Sequence, residues 1–136
     1  MKKWTITAVC MAVFSLLLTG CHITKVSSAN AEALEYTVMK EADYPEEVAK
    51  LLEENKEQEF QMTYQDGQYL YLLKGYGKQE TGGYSIQVED VSRWDNAVHL
   101  KTTLGGPPRE EELKKEPSYP SLVIKMEYRE DPVIFE

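Results

Sequence analysis

Gly75-Tyr76-Gly77-Lys78-Gln79-Glu80-Thr81-Gly82-Gly83-Tyr84-Ser85-Ile86 holds half of the chain's eight glycines and separates two strand-forming runs. Before it, Gln68-Tyr69-Leu70-Tyr71-Leu72-Leu73-Lys74 is apolar on both of its alternating faces, which predicts a central strand. After it, Tyr84, Ile86 and Val88 alternate with Ser85, Gln87 and Glu89, the period-two signature of a half-buried strand. The stretch is therefore a loop joining strands. A Gly-Gly pair at a strand start marks a bulge, a tight bend or a place where another backbone approaches. Two readings follow. Tyr76, Thr81, Gly82, Gly83 and Tyr84 are the candidate binding residues of an exposed edge, or the stretch is a bent connector that binds nothing.

Upstream of the central run, Phe60, Met62 and Tyr64 alternate with Gln61, Thr63 and Gln65, and Asp66-Gly67 predicts a two-residue hairpin turn. Tyr69 and Tyr71 share a face and are expected in the core rather than on a binding platform. Asp43-Tyr44-Pro45-Glu46-Glu47 is a helix start, with proline in the first turn and acids where the macrodipole favours them. Tyr44, Val48, Leu51 and Leu52 then form one apolar stripe, predicting an amphipathic helix to about Asn55 that covers a sheet face. Leu34 to Met39 is expected to be the first strand. Downstream, a strand runs to about Trp94, Asp95-Asn96 turns, and Val98, Leu100, Thr102 and Leu104 alternate on the returning strand. His99 falls on the polar side of that strand and is expected to face solvent. Gly105-Gly106-Pro107-Pro108 breaks the sheet, Arg109 to Glu116 is a charged loop with Glu110 to Lys114 and Glu111 to Lys115 at helical spacing, and Pro117 to Pro120 resets the chain. Leu122, Ile124, Met126 and Tyr128 then mark another strand, with Val133 to Phe135 closing a sheet edge after an Asp131-Pro132 turn. The expected fold is α+β and strand-dominated, with about seven mainly antiparallel strands and one packed helix; the alternative is an immunoglobulin-like β-sandwich.

Thr81-Gly82-Gly83-Tyr84-Ser85-Ile86, with Gly75-Tyr76-Gly77 before it and Tyr119-Pro120-Ser121-Leu122-Val123-Ile124-Lys125 far downstream, resembles the C-terminal domain of the PrcB family. The resemblance covers Gln68 to the C-terminus, with weaker similarity back to about Glu35. It implies a surface lipoprotein or secreted domain, since the founding member is a non-catalytic subunit of a cell-surface subtilisin-like protease complex. The implied partner is thus a surface protease or another envelope protein, and the implied role is assembly or stabilisation rather than cleavage.

The N-terminus carries an export signal. Lys2 and Lys3 precede an apolar run from Trp4 to Leu18, which ends in Leu18-Thr19-Gly20-Cys21. These four residues resemble the bacterial lipobox, in which the cysteine is diacylated and becomes the mature N-terminus. Residues 1–20 are expected to be a lipoprotein signal peptide, 21–33 a lipidated tether and 34–136 the PrcB-like domain. Two acyl chains hold a protein durably on a membrane, so the expected location is the extracytoplasmic face of the cell membrane. With Cys10 removed and Cys21 acylated, no thiol remains for a disulfide, metal or nucleophile.

The formal net charge is −8, and loss of Lys2 and Lys3 makes the mature chain more acidic still. Nucleic acid is excluded as an expected partner, because phosphate contacts need clustered Lys and Arg. No Walker loop, dinucleotide fingerprint or zinc spacing is present, so no cofactor and no metal are expected. Ser85, Ser92, Ser118 and Ser121 lie in no nucleophile-elbow context. Glu80 and Glu89 flank the glycine loop, but acids this common make such pairs by chance. No catalytic residue is assigned. Two binding alternatives stand beside assembly. The Glu80–Tyr84 and Gly105-Gly106 loops resemble those of chagasin-type cysteine-protease inhibitors, although Trp94 lacks the Arg-Pro context of their third loop. An envelope glycan-binding module would use exposed Tyr76 and Tyr84.

Overall fold

The computed structural model describes residues 30–109 and 115–136, and Ala31–Glu136 forms a compact unit. The chain runs β1 (Glu32–Ala33), β2 (Thr37–Val38), a 3-10 turn (Glu41–Asp43), α1 (Glu46–Asn55), β3 (Glu59–Asp66), β4 (Tyr69–Tyr76), β5 (Ser85–Trp94), β6 (Ala97–Gly105), β7 (Ser121–Glu127) and β8 (Val133–Phe135). These strands form two four-stranded sheets, one in the order β1-β5-β6-β8 and the other β2-β7-β4-β3. All pairings are antiparallel except β6 with β8. The fold is α+β and strand-dominated, with one α-helix among the described residues.

Three layers result. Leu70 and Leu72 of β4 and Leu122, Ile124 and Met126 of β7 pack against Val91, Val98 and Leu100 of the first sheet. On the opposite face of β4 and β7, Tyr71, Leu73 and Val123 pack against Val48 and Leu52 of the helix, with Tyr44, Leu51, Phe60, Met62 and Tyr64 around them. The two-faced apolar pattern of β4 is thus explained: one face meets a sheet and the other a helix. The facing-sheet element of the immunoglobulin-like alternative is present, but the added helical layer belongs to the α+β reading.

Both hairpins form. Asp95 and Asn96 have φ of 51° and 58°, the paired positive values of a type I′ turn that Asn and Asp tolerate. In the other hairpin Asp66 pairs with Tyr69, so the loop is Gly67-Gln68, one residue later than expected, with Gly67 at φ 58°. In β5 the register shifts between Val88 and Asp90. This bulge leaves Glu89 unopposed, and it lets Ile86, Val88 and Val91 all face the same core despite their uneven spacing.

Three further expectations need correction. Leu34 to Met39 is not one strand. Thr37–Val38 pairs with β7, whereas Glu32–Ala33, expected at the end of the tether, pairs with β5, so this short segment contributes to both sheets. The described residues thus hold eight strands, in keeping with the expected number of about seven. His99 does lie on the outer face of its sheet, yet it is only 4 % exposed. Trp94 stacks on its ring at 3.8 Å between centroids, and Glu136 places a carboxylate oxygen 3.8 Å from Nδ1. Alternation assigns a face, but it does not foresee an indole folding over that face. Tyr71 is buried as expected, while Tyr69 is 42 % exposed, because it sits at the hairpin end beyond the sheet surface that the helix covers. The signal peptide, Cys21 and the Glu110 to Lys114 charge pattern lie outside the described residues. Among the described residues no helix is long and apolar enough to cross a membrane.

Candidate functional site

The glycine-rich stretch is the crossover from β4 in one sheet to β5 in the other. Such a passage must turn the backbone out of one plane and into the next, and its glycines serve that need. Gly75 lies in β4 opposite Phe60, whose ring crosses so closely over it that any Cβ would overlap the ring atoms. Gly83 has φ 87°, and a Cβ there would come within 2.9 Å of Pro107 Cβ. The crossover is therefore packed against the Gly105 to Pro107 break. The two glycine-rich stretches meet in space.

The segment before β7 buttresses the same loop. Gln79 and Ser118 exchange backbone hydrogen bonds of 2.8 and 3.0 Å, and the Tyr76 amide donates to the Pro120 carbonyl at 3.0 Å. The Ser118 hydroxyl donates to the Thr81 carbonyl at 2.6 Å, and the Gln79 side-chain amide donates to the Tyr76 carbonyl at 3.1 Å. The Lys78 amide reaches the Glu57 carbonyl at 3.2 Å. The loop is thus an ordered end of the domain, where four chain segments meet.

Each candidate residue has a defined place. Tyr76 ends β4, half-buried; its hydroxyl hydrogen-bonds Thr102 Oγ1 on β6, and Lys74 Nζ lies 5.0 Å from its ring centroid. It ties one sheet to the other, so neither its hydroxyl nor that ring face is open. Thr81 and Gly82 form a half-buried bend, Gly83 is exposed at its outside, and Tyr84 is half-buried immediately before β5. Lys78 and Glu80 are the exposed charges of the loop. Lys74 was not singled out by sequence: it is only 8 % exposed and its ammonium donates to Glu59 at 2.9 Å. A lysine amid apolar strand residues was its only signal.

No group of three or more potential metal-ligating side chains occurs among the described residues. A cavity of about 760 Å³, lined partly by Tyr36, Thr37, Tyr69 and Lys125, lies at the other end of the second sheet from Tyr76. Residues 70–127 match the PrcB C-terminal family. The PrcB C-terminal match spans β4 through β7, so it contains the crossover, both core-facing strands of the second sheet and the buttressing segment. It leaves out α1 and β3. No curated protein and no solved structure matches the chain.

Proposed function

We propose that this protein is a non-catalytic surface lipoprotein that docks onto or stabilises an extracellular protease or envelope complex. The PrcB C-terminal match over residues 70–127 carries the reading, because that family's name belongs to protease-complex subunits. In this reading residues 1–20 are the export signal, Cys21 carries the acyl chains that hold the protein at the outer face of the cell membrane, and residues 22–33 lead to the domain. The ordered crossover, with Lys78, Glu80, Thr81, Gly83 and Tyr84 at its rim, is the contact surface. Rigid, buttressed loops suit docking, since little conformational entropy is lost when they bind.

The test is an affinity purification of the C-terminally tagged protein from its native membrane. The variant to compare is Glu80→Lys/Tyr84→Ala, which alters the rim without entering either core. Gly83 is avoided because a side chain there would disturb the loop itself. The expected result is a surface protease recovered with the wild type and lost with the variant, and a Cys21→Ser form released from the membrane fraction. Equal recovery of every protein with both forms would reduce the loop to a connector.

A further inference from the structure

β3 is the last strand of its sheet, so its outer backbone edge has no partner strand among the described residues. On such an edge every second residue directs its N–H and C=O away from the sheet. Natural edges are blunted by lysine or proline within the strand, by bulges or by shortness. β1 and β2 have two residues each and β8 has three. β3 has eight, Glu-Phe-Gln-Met-Thr-Tyr-Gln-Asp, with no proline or lysine, and it pairs with β4 without a register shift. It is the longest edge strand of the described domain, and unlike the flank of β5 that β1 leaves uncovered it carries no bulge. It also lies outside the segment that the family model matches.

Beside this edge a cleft of about 500 Å³ opens between the two sheets, lined by Gln61, Thr63, Gln65 and Phe135 and by Arg129 and Asp131, whose charges are paired with each other. On the other face, Phe60, Met62 and Tyr64 form a half-buried apolar row that continues toward the helix. A strand added to β3 would place alternate side chains into the cleft and the others beside that row. Charge selects the occupant. The chain carries −8, and the strand's acids are at its ends, Glu59 and Asp66. A second copy pairing antiparallel about the strand centre would set each Glu59 opposite an Asp66, a destabilising arrangement. Lys74 already holds Glu59, whereas Asp66 is exposed and has no ion-pair partner among the described residues, so it is the end left open to a basic residue. We propose that β3 is a strand-addition site for an extended, basic-ended segment of a partner protein. The partner's being a protein rests on the docking reading above; the strand-addition chemistry rests on β3 alone.

The test titrates the isotopically labelled full chain, in detergent micelles, with a synthetic octapeptide that alternates valine and threonine between terminal lysines. Amide resonances of residues 59–66 should shift and saturate. Thr63→Lys or Gln65→Lys, each placing an inward charge from an exposed position, should weaken binding about tenfold while the melting curve shows a folded protein. A peptide N-methylated at alternate residues should not bind, and one with terminal glutamates should bind more weakly at low salt. The proposal is overturned if no β3 amide moves, if the N-methylated peptide binds equally well, or if terminal charge makes no difference. Concentration-dependent broadening of β3 amides without peptide would also overturn it in favour of a second copy. Peptide binding at β3 with a failed membrane purification would sink the protease reading and leave the edge standing; the converse would do the opposite.

Discussion

Gly83 shows how a position that looks like a ligand contact can be required by the chain's own path. At φ 87° an L side chain is strained, and its Cβ would press on Pro107. Gly83→Ala should therefore destabilise the domain by about 1–2 kcal/mol, read from denaturant unfolding. A variant as stable as the wild type would mean that the crossover is looser than its hydrogen bonds imply. Tyr76 makes the same point: its hydroxyl is used on Thr102, which removes it from the exposed aromatics that a glycan would need. His99 teaches the complementary lesson, since both its ring nitrogens are buried without a hydrogen-bond partner among the described residues. A histidine so placed stacks on Trp94 as part of the packing.

At the scale of elements, β8 is the shortest partner of its sheet after β1 and is held by more than its ladder. Asp131, in the turn before it, accepts from Arg129 Nε at 3.1 Å and from Arg93 Nε of β5 at 3.2 Å. These guanidiniums, Arg129 foremost, hold the Asp131 carboxyl below the ordinary aspartate range despite the opposing effect of burial. A lowered folded-state value means that the stabilisation is present above the unfolded value and is lost as pH falls through the folded one. Asp131→Asn should thus lower the Tm at neutral pH, and the gap from wild type should narrow as pH falls through and below the ordinary carboxylate range. A gap that stays constant across that window would assign the effect to packing instead of charge.

At the scale of the molecule, β4 and β7 are shared by both cores, with neighbouring residues facing opposite layers. Leu72 is fully buried between the sheets and Leu73 fully buried under the helix. Leu72→Ala and Leu73→Ala should each cost about 2–5 kcal/mol. Because one strand supports all three layers, neither substitution should melt a layer by itself. In a Trp4→Phe background, Trp94 fluorescence reports the first sheet and far-ultraviolet circular dichroism reports the helix. The two transitions should coincide in both variants. Separated transitions would show the helix to be an independently melting layer.

Much of this was legible in the chain because it depends on local periodicity. The helix stripe of Tyr44, Val48, Leu51 and Leu52, the Asp95-Asn96 turn, the alternation in β3, β6 and β7, and the two-faced character of β4 all follow from side-chain spacing. So did the resemblance carried by Thr81 to Ile86 and Tyr119 to Lys125, which lies within the matched segment 70–127. Tertiary structure alone decided the division of strands between two sheets, the parallel return of β8, the contact of Gly83 with Pro107, and the unpaired edge of β3. Periodicity reports which face of a strand is apolar. Which neighbour meets that face, and which edge is left without one, is settled only when distant segments pair.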